Sequence, residues 1–249
     1  MEELIEKAAE ELARATNVTA LTGAGISVES GIPPFRGPGG LWEKIDPMEY
    51  AHIDAFLKDP VKVWNVLLKD MKALLDTARP NPAHLGLAHL EAMGVLKTVI
   101  TQNVDGLHQL AGNTDVIEFH GTFALHRCMD CSRRQETCNI DLDRIPPRCE
   151  CGGIWRPECV FFGEMIPSRA LWRSQQAAES CDVMLVIGTS ATVQPAATMP
   201  VIAKQAGARI IEFNEEETPL TGWVSDYRIP GKAGIVLDRV VKRVEALLG

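Results

Sequence analysis

The sequence predicts an α/β fold in which a doubly wound parallel sheet carries a second, smaller lobe. Short apolar runs alternate with segments whose apolar residues recur about every 3.6 positions, as expected for a parallel sheet covered by helices on both faces. A Gly-x-Gly turn, Gly23 and Gly25, follows the first run. Four of the seven cysteines form two close pairs, which indicates a metal-binding insertion in a chain of 249 residues.

The strands and helices are predicted from these runs in chain order. Near-continuous apolar runs such as VMLVIG suit central strands better than edge strands. The predicted strands are Val18–Leu21, Leu96–Thr101, Val116–Phe119, Val183–Gly188 and Arg209–Phe213, and the predicted helices are Glu2–Ala15, Pro60–Thr77, His84–Met93, Ser168–Ser180, Ala196–Ala206 and Ile235–Leu248.

Two segments interrupt the alternation and are predicted to form the small lobe. Residues 127–156 are rich in Cys, Arg, Pro and Gly, so we expect a bound metal to replace a hydrophobic core of their own. The predicted domains are a large domain of residues 1–32, 80–126 and 157–249, a cofactor-binding loop and helical insertion of residues 33–79, and a zinc-ribbon insertion of residues 127–156.

Composition excludes several classes of protein. The net charge of −8 argues against general nucleic-acid binding and mildly favours a basic peptide as substrate. No stretch approaches eighteen consecutive apolar residues, so no membrane span is expected. The acidic N-terminal segment lacks the features of a signal peptide, which predicts a cytoplasmic protein. The even spread of charge predicts a monomer.

The glycine turn is a candidate phosphate site. Glycines let the backbone approach a ligand, and the N–H groups at a helix start attract anions. The turn departs from the dinucleotide fingerprint, because Val28 stands where the third glycine belongs and the acidic residue expected about twenty positions later, at the end of a second strand, has no clear candidate. A purely structural turn is an equally good interpretation of the glycines alone, whereas Ser27 and Arg36 favour phosphate or ribose binding.

Polar residues follow the other predicted strands. Asn103 and Asp105 come after the second strand, where side chains can hold a carboxamide or ribose, although either could instead cap a helix. His120 follows the third strand and is a candidate general base, although the chain has six histidines and a single histidine is more often structural. Further candidates at strand ends are Gln102, Gly188, Thr189, Ser190 and Asn214.

The cysteine pairs predict a structural zinc site. Cys128 and Cys131 are separated by two residues, and Cys149 and Cys151 by one, which is similar to a zinc ribbon. Four thiolates leave no open coordination position, so the zinc would not be catalytic. Four unrelated buried cysteines are the alternative.

Taken together, these motifs resemble the sirtuin family of NAD-dependent protein deacylases. The resemblance runs from about Leu4 to Leu248 and includes GAGIS, FRG, TQNVDGLH, FHG, FFGE, GTS and GKAG in the family's order. It implies a Rossmann-like large domain, a small zinc-binding and helical domain, and NAD in the cleft between them. It also implies that NAD and an acylated lysine are converted into nicotinamide, free lysine and O-acyl-ADP-ribose.

The resemblance also implies roles for individual residues. His120, Asn103 and Asp105 would be catalytic, and Val160, Phe162, Gly163 and Glu164 would receive the acyl-lysine peptide as an added strand. NAD would contact Gly23, Ala24, Gly25, Ser27, Phe35, Arg36, Gln102, Asn103, Asp105, Gly188, Thr189, Ser190, Asn214, Lys232 and Ala233.

The acyl preference follows from one helix. The GPGGLW stretch resembles a subgroup that removes succinyl and malonyl groups and grips them with a Tyr and an Arg. Leu67 and Asp70 occupy these positions here, which predicts acetyl or other uncharged acyl groups. Two other functions use the same features: an ADP-ribosyltransferase or NAD hydrolase, and a zinc-containing module that senses a nucleotide without turnover.

Overall fold

The computed structural model describes residues 1–37 and 39–249, and its main element is a six-stranded parallel sheet. The strands of the chain are β1 (Val18–Thr22), β2 (Leu96–Thr101), β3 (Val116–Glu118), β4 (Gly121–Cys128), β5 (Arg134–Glu136), β6 (Trp155–Cys159), β7 (Val183–Ile187), β8 (Arg209–Phe213) and β9 (Tyr227–Ile229). The helices are α1 (Glu2–Arg14), α2 (Leu41–Lys44), α3 (Pro47–Tyr50), α4 (Ile53–Lys58), α5 (Pro60–Val63), α6 (Lys69–Thr77), α7 (Pro82–Ala92), α8 (Leu107–Ala111), α9 (Ser168–Ser180), α10 (Met199–Gln205) and α11 (Ala233–Leu248).

The strand order of the large sheet is β3-β2-β1-β7-β8-β9, and all pairs are parallel. The chain therefore adds β2 and β3 on one side of β1, and then returns to add β7, β8 and β9 on the other side. In an open parallel sheet, ligands bind at such a reversal, beyond the carboxyl ends of the strands.

Alternate strand residues pack into two separate hydrophobic layers. Ala20 belongs to the layer covered by α1, α7 and α11, whereas its neighbour Leu21 belongs to the layer covered by α9 and α10. Both faces of the sheet are therefore covered by helices, and the predicted α/β fold with a doubly wound parallel sheet is confirmed.

Several local predictions need correction. The short edge strand β9 was not predicted, because three residues carry too little periodicity. The expected helix after the Gly-x-Gly turn is a 3₁₀ helix, Ala24–Ser30. The predicted helix Pro60–Thr77 contains a π-helical turn, Trp64–Leu68, between α5 and α6.

A second sheet of three antiparallel strands, in the order β5-β4-β6, forms the small lobe. Its strands extend from Gly121 to Cys159, beyond both ends of the predicted insertion 127–156. The division of the chain into domains stays a prediction.

The small lobe has a hydrophobic core that the two insertions share. Trp155 and Ile140 pack with Phe56, Trp64 and Leu68 of the helical insertion. The Trp64 indole N–H donates a hydrogen bond to the Trp155 carbonyl oxygen at 3.0 Å. As expected, residues 127–156 do not form a hydrophobic core by themselves. They do have a hydrophobic core, however, which they share with residues 33–79.

The first and last helices pack against each other on the large sheet. Arg243 donates to both carboxylate oxygens of Glu6, at 2.6 and 2.7 Å, but the pair is exposed and adds little stability.

In residues 1–37 and 39–249, no helix has the length and apolar character needed to span a bilayer. The monomeric state, the absence of nucleic-acid binding and the cytoplasmic location stay predictions.

Candidate active site

A cleft of about 990 Å³ lies at the strand reversal and extends to the small lobe. A shallower depression elsewhere is lined by charged residues of α1 and α11, including Glu6 and Arg243, and contains no predicted site residue. The predicted residues that line the cleft are Gly23, Ala24, Gly25, Phe35, Arg36, Gln102, Asn103, His120, Val160, Phe162, Gly163, Glu164, Gly188, Thr189, Ser190, Asn214, Lys232 and Ala233.

The glycine turn allows two loops to pack closely. The Gly25 N–H donates to the Gly188 carbonyl oxygen at 2.7 Å. A Cβ atom on Gly25 would lie 2.7 Å from the Gly188 Cα, and one on Gly23 would lie 2.7 Å from the Thr189 Cβ. Both glycines are therefore needed for the loop after β1 to contact the loop after β7, and this contact forms the floor of the cleft.

Ser27 and Asp105 lie behind the cleft wall rather than on it. The Asn103 side-chain amide donates to the Gly23 carbonyl oxygen and to Ser27 Oγ, both at 3.1 Å. Ser27 donates in turn to Asp105 at 2.7 Å, while the other Asp105 oxygen accepts from the N–H of Leu107, the first residue of α8. Burial raises the pKa of Asp105. The N-cap of α8 is Gly106, so Asp105 lies just before the cap and supports Asn103 through Ser27.

His120 faces the cleft with its ring orientation fixed. Its Nδ1 lies 3.0 Å from the Gln102 carbonyl oxygen. Since a carbonyl oxygen can only accept, Nδ1 carries the proton and Nε2 keeps a free lone pair. Burial lowers the pKa of His120 below its ordinary value, although the Gln102 hydrogen bond opposes this shift. The ring is therefore a neutral base at neutral pH.

Two further histidines behind the glycine turn were missed by the sequence analysis. His84 Nε2 lies 3.4 Å from Ser27 Oγ, and His108 Nε2 lies 2.9 Å from Thr22 Oγ1. Burial lowers the pKa of His84 to about 4 and that of His108 to about 3. The motif TQNVDGLH contains His108, but the sequence alone does not show that its ring is buried.

Aromatic side chains form another wall of the cleft. Phe35 stacks on Trp42 with ring centroids 5.3 Å apart, and Trp42 lies 6.1 Å from Phe162. Trp42 was not predicted as a site residue, although it follows the FRG motif closely. Other apolar lining residues that were missed are Leu68, Met71, Val104, Phe161 and Ile166.

The helix used to predict the acyl preference presents only one of the two expected residues to the cleft. Leu67 and Met71, four positions apart, share the face that lines the cleft. Asp70 is exposed and does not line the cleft, so its predicted repulsion of a succinyl group has no structural basis. Cys159 also lines the cleft, and burial raises the pKa of its thiol to about 12.

The four paired cysteines converge in the small lobe. All four Sγ atoms lie within 4.8 Å of one another, including Cys128 to Cys151 at 3.5 Å and Cys131 to Cys149 at 3.7 Å. Thiolates bound to tetrahedral zinc at 2.3 Å are about 3.8 Å apart, so the donor set and its spacing fit one zinc ion. None of these cysteines lines the cleft, which fits a structural site.

Comparison with known proteins identifies the family. Residues 23–195 match the model described as the Sir2 family. The chain belongs to the Sir2 family. NAD-dependent protein deacylase 1 of Archaeoglobus fulgidus is 48% identical, with 98% of this chain and 99% of the relative covered. The NAD-dependent protein deacetylase of Saccharolobus solfataricus is 44% identical, with 97% of each chain covered.

Solved Sir2 structures share the fold of this Sir2 protein. A Sir2 homologue in complex with NAD has a TM-score of 0.90 at 46% identity, covering 98% of this chain and 95% of that one. A Sir2 protein bound to a myristoylated histone peptide has a TM-score of 0.84 at 38% identity, covering 99% and 98%. The predicted resemblance to sirtuins is confirmed.

Proposed function

We propose that this Sir2 protein is an NAD-dependent protein-lysine deacylase. The observation that carries the proposal is His120, a neutral base facing a cleft that also contains the glycine turn and the segment Val160–Gly163. Relatives covering nearly the whole chain are named NAD-dependent protein deacylases or deacetylases, which supports the same activity here.

Each side of the cleft has a chemical role in this proposal. The glycine turn, which lets a ligand approach the backbone closely, and the Arg36 guanidinium would bind the pyrophosphate of NAD. Asn103, held from behind by Gly23 and Ser27, would orient the nicotinamide riboside. NAD supplies the electrophilic ribose carbon when its nicotinamide leaves. His120 Nε2 would then accept a proton from a ribose hydroxyl.

The acyl group is proposed to be uncharged. Leu67, Met71 and Val104 offer it an apolar surface, and apolar groups gain free energy from such burial. In the described cleft, the only lining arginine and lysine are Arg36 and Lys232, which belong to the segments proposed to bind NAD. Acetyl groups are favoured, and longer aliphatic chains are compatible with the same surface.

The small lobe is proposed to hold one structural zinc through Cys128, Cys131, Cys149 and Cys151, whose spacing fits the ion. Zinc would connect the end of β4 and the turn after it with the turn before β6, and so stabilise the lobe that carries one side of the cleft.

The decisive experiment follows nicotinamide release from NAD in the presence of acetyl, propionyl, decanoyl and succinyl versions of one peptide. We expect release that requires an uncharged acyl-lysine and yields O-acyl-ADP-ribose by mass spectrometry. Release without acylated peptide would indicate NAD hydrolysis, and ADP-ribose attached to a protein would indicate ADP-ribosyl transfer. Tight NAD binding with no turnover would favour a nucleotide-sensing module.

A further inference from the structure

Glu164, predicted to contact the peptide substrate, forms a partly buried ion pair with Arg156. The Arg156 guanidinium is 4% exposed and donates to both carboxylate oxygens of Glu164, at 2.7 and 2.8 Å. Such a bidentate pair fixes both the distance and the plane of its two side chains. A carboxylate held in this way is a poor candidate for direct contact with a variable substrate.

The ion pair also fixes the backbone between its two residues. Glu164 accepts a hydrogen bond from the Phe161 N–H at 2.9 Å, and Arg156 donates to the Cys159 carbonyl oxygen at 2.9 Å. The guanidinium carbon lies 4.7 Å from the centre of the Phe161 ring. The pair thus ties together both ends of the segment Cys159–Glu164.

This segment connects the candidate base with the helical insertion. The Val160 N–H donates to the His120 carbonyl oxygen at 2.8 Å. Phe162 donates to the Ala51 carbonyl oxygen and accepts from Ile53 N, both at 2.9 Å. Among the residues described here, Gly163 makes no backbone hydrogen bond, so its polar groups are available to an added strand.

We propose that Arg156 and Glu164 are positioning residues that hold Val160–Gly163 in the conformation that receives an acyl-lysine peptide beside His120. This inference rests on the proposed deacylase function. Glu164 lines the cleft, but the proposed role of the ion pair is indirect. It acts by fixing the segment to which the peptide binds, so its loss weakens peptide binding while the NAD side of the cleft is unaffected.

Charge at Glu164 is maintained by its neighbours. Burial alone would raise the pKa of this carboxyl, but the Arg156 guanidinium and the Phe161 N–H hold it below its ordinary value. The ion pair therefore persists across the neutral pH range. Arg127 adds a weaker favourable charge interaction with the same carboxylate.

The test compares Glu164→Gln and Arg156→Met with the wild type and with Arg134→Met. The control breaks the neighbouring but exposed Arg134–Glu158 pair of the same small sheet. Binding of a fluorescent acetyl-lysine peptide in the presence of NAD is followed by anisotropy, and KM is measured separately for peptide and NAD. Glu164→Gln retains side-chain shape and an acceptor for Phe161 N–H, so it remains informative even if Arg156→Met does not fold.

We expect Glu164→Gln to raise the peptide Kd and KM at least tenfold, while the KM for NAD changes less than twofold and Arg134→Met changes neither. Equal losses for NAD and peptide, or an unchanged peptide Kd, would overturn the positioning role. Absence of turnover in the wild type would instead count against the deacylase function, and the anisotropy measurement would still decide the role of the ion pair.

Discussion

The tautomer of the neutral His120 ring is fixed by a single backbone hydrogen bond. The Gln102 carbonyl oxygen accepts from Nδ1 and leaves Nε2 as the only basic atom of the ring. A substitution that moves Gln102 would therefore affect the proposed base without touching it. Because Gln102 directly follows β2, the orientation of the base is set by the large sheet even though β4 begins at the next residue after His120.

The pH dependence of turnover tests this arrangement. Since burial lowers the pKa of His120, the ring stays neutral below pH 6.5 and turnover should persist there. In a profile of kcat/KM against pH, we expect the acid limb to have its midpoint below 6.5, and His120→Ala to lower kcat at least a hundredfold. A midpoint at or above 6.5, or an unchanged rate in the variant, would contradict the assignment.

Residue identity and residue exposure were not equally predictable. Gln102, Asn103 and His120 were predicted from their positions after strands, and all three line the cleft. Asp105 was predicted for the same reason, and Ser27 as a phosphate or ribose donor beside the glycine turn, but both lie one layer deeper. Their depth depends on hydrogen bonds between the loops after β1 and β2, which join parts of the chain that are far apart in sequence.

The helical segment that contains the π-helical turn supplies part of the apolar surface of the cleft. Leu67 and Met71 line the cleft, whereas Asp70 faces solvent. Sequence alignment selects Asp70 from its position along the chain alone. Which side chains face the cleft also depends on the number of residues per turn, and this number changes at the π-helical turn Trp64–Leu68.

Substitutions on the two faces of this helix should have different effects. Met71→Glu introduces a charge into the apolar surface. It should lower kcat/KM for a decanoyl peptide at least tenfold, because the decanoyl group loses apolar burial. Asp70→Asn, on the exposed face, is the matched control and should change kcat/KM for acetyl and decanoyl peptides less than twofold. A large effect of Asp70→Asn would support the original sequence hypothesis instead.

The zinc ribbon is the second element whose role can be tested directly. Cys128→Ser should abolish zinc binding and lower the melting temperature by about 5–10 °C, equivalent to about 2–3 kcal/mol in a protein of this size. Cys138→Ser changes an exposed cysteine outside the cluster and should retain one zinc per chain. Zinc release is measured with a chromogenic chelator, and equal zinc content in both variants would contradict the site.

Elements with strong periodicity or known spacing were predictable, and those that depend on distant partners were not. The five predicted strands of the large sheet and the four-cysteine cluster are present. Strands β4, β5 and β6 were not predicted, because β5 and β6 are short and the three strands form a sheet around the core shared with Trp64 and Trp155.

For the molecule as a whole, three buried histidines make stability depend on pH. Burial lowers the pKa of His84 and His126 to about 4 and that of His108 to about 3. Each is neutral when folded but becomes protonated near pH 6.5 when unfolded. Their contribution to stability is therefore complete above pH 6.5 and is lost as the pH falls towards 4, at up to about 1.4 kcal/mol per pH unit for each histidine.

Denaturant unfolding at pH 7, 6 and 5 should show this loss. His126→Asn, which keeps a polar group beside Thr137, should reduce the slope of unfolding free energy against pH by roughly one proton. A wild-type stability independent of pH between 7 and 5 would contradict the burial of these histidines.

The central position of β1 has a consequence for how the chain folds during synthesis. Val18 pairs with Val183, so one edge of β1 has no partner until most of the protein has left the ribosome. Such distant pairing slows folding. The helical insertion and the cysteine cluster lie between these two strands in sequence. The small lobe can therefore fold and bind zinc before β7 is available to pair with β1. Zinc supply during translation would then influence the yield of the entire enzyme.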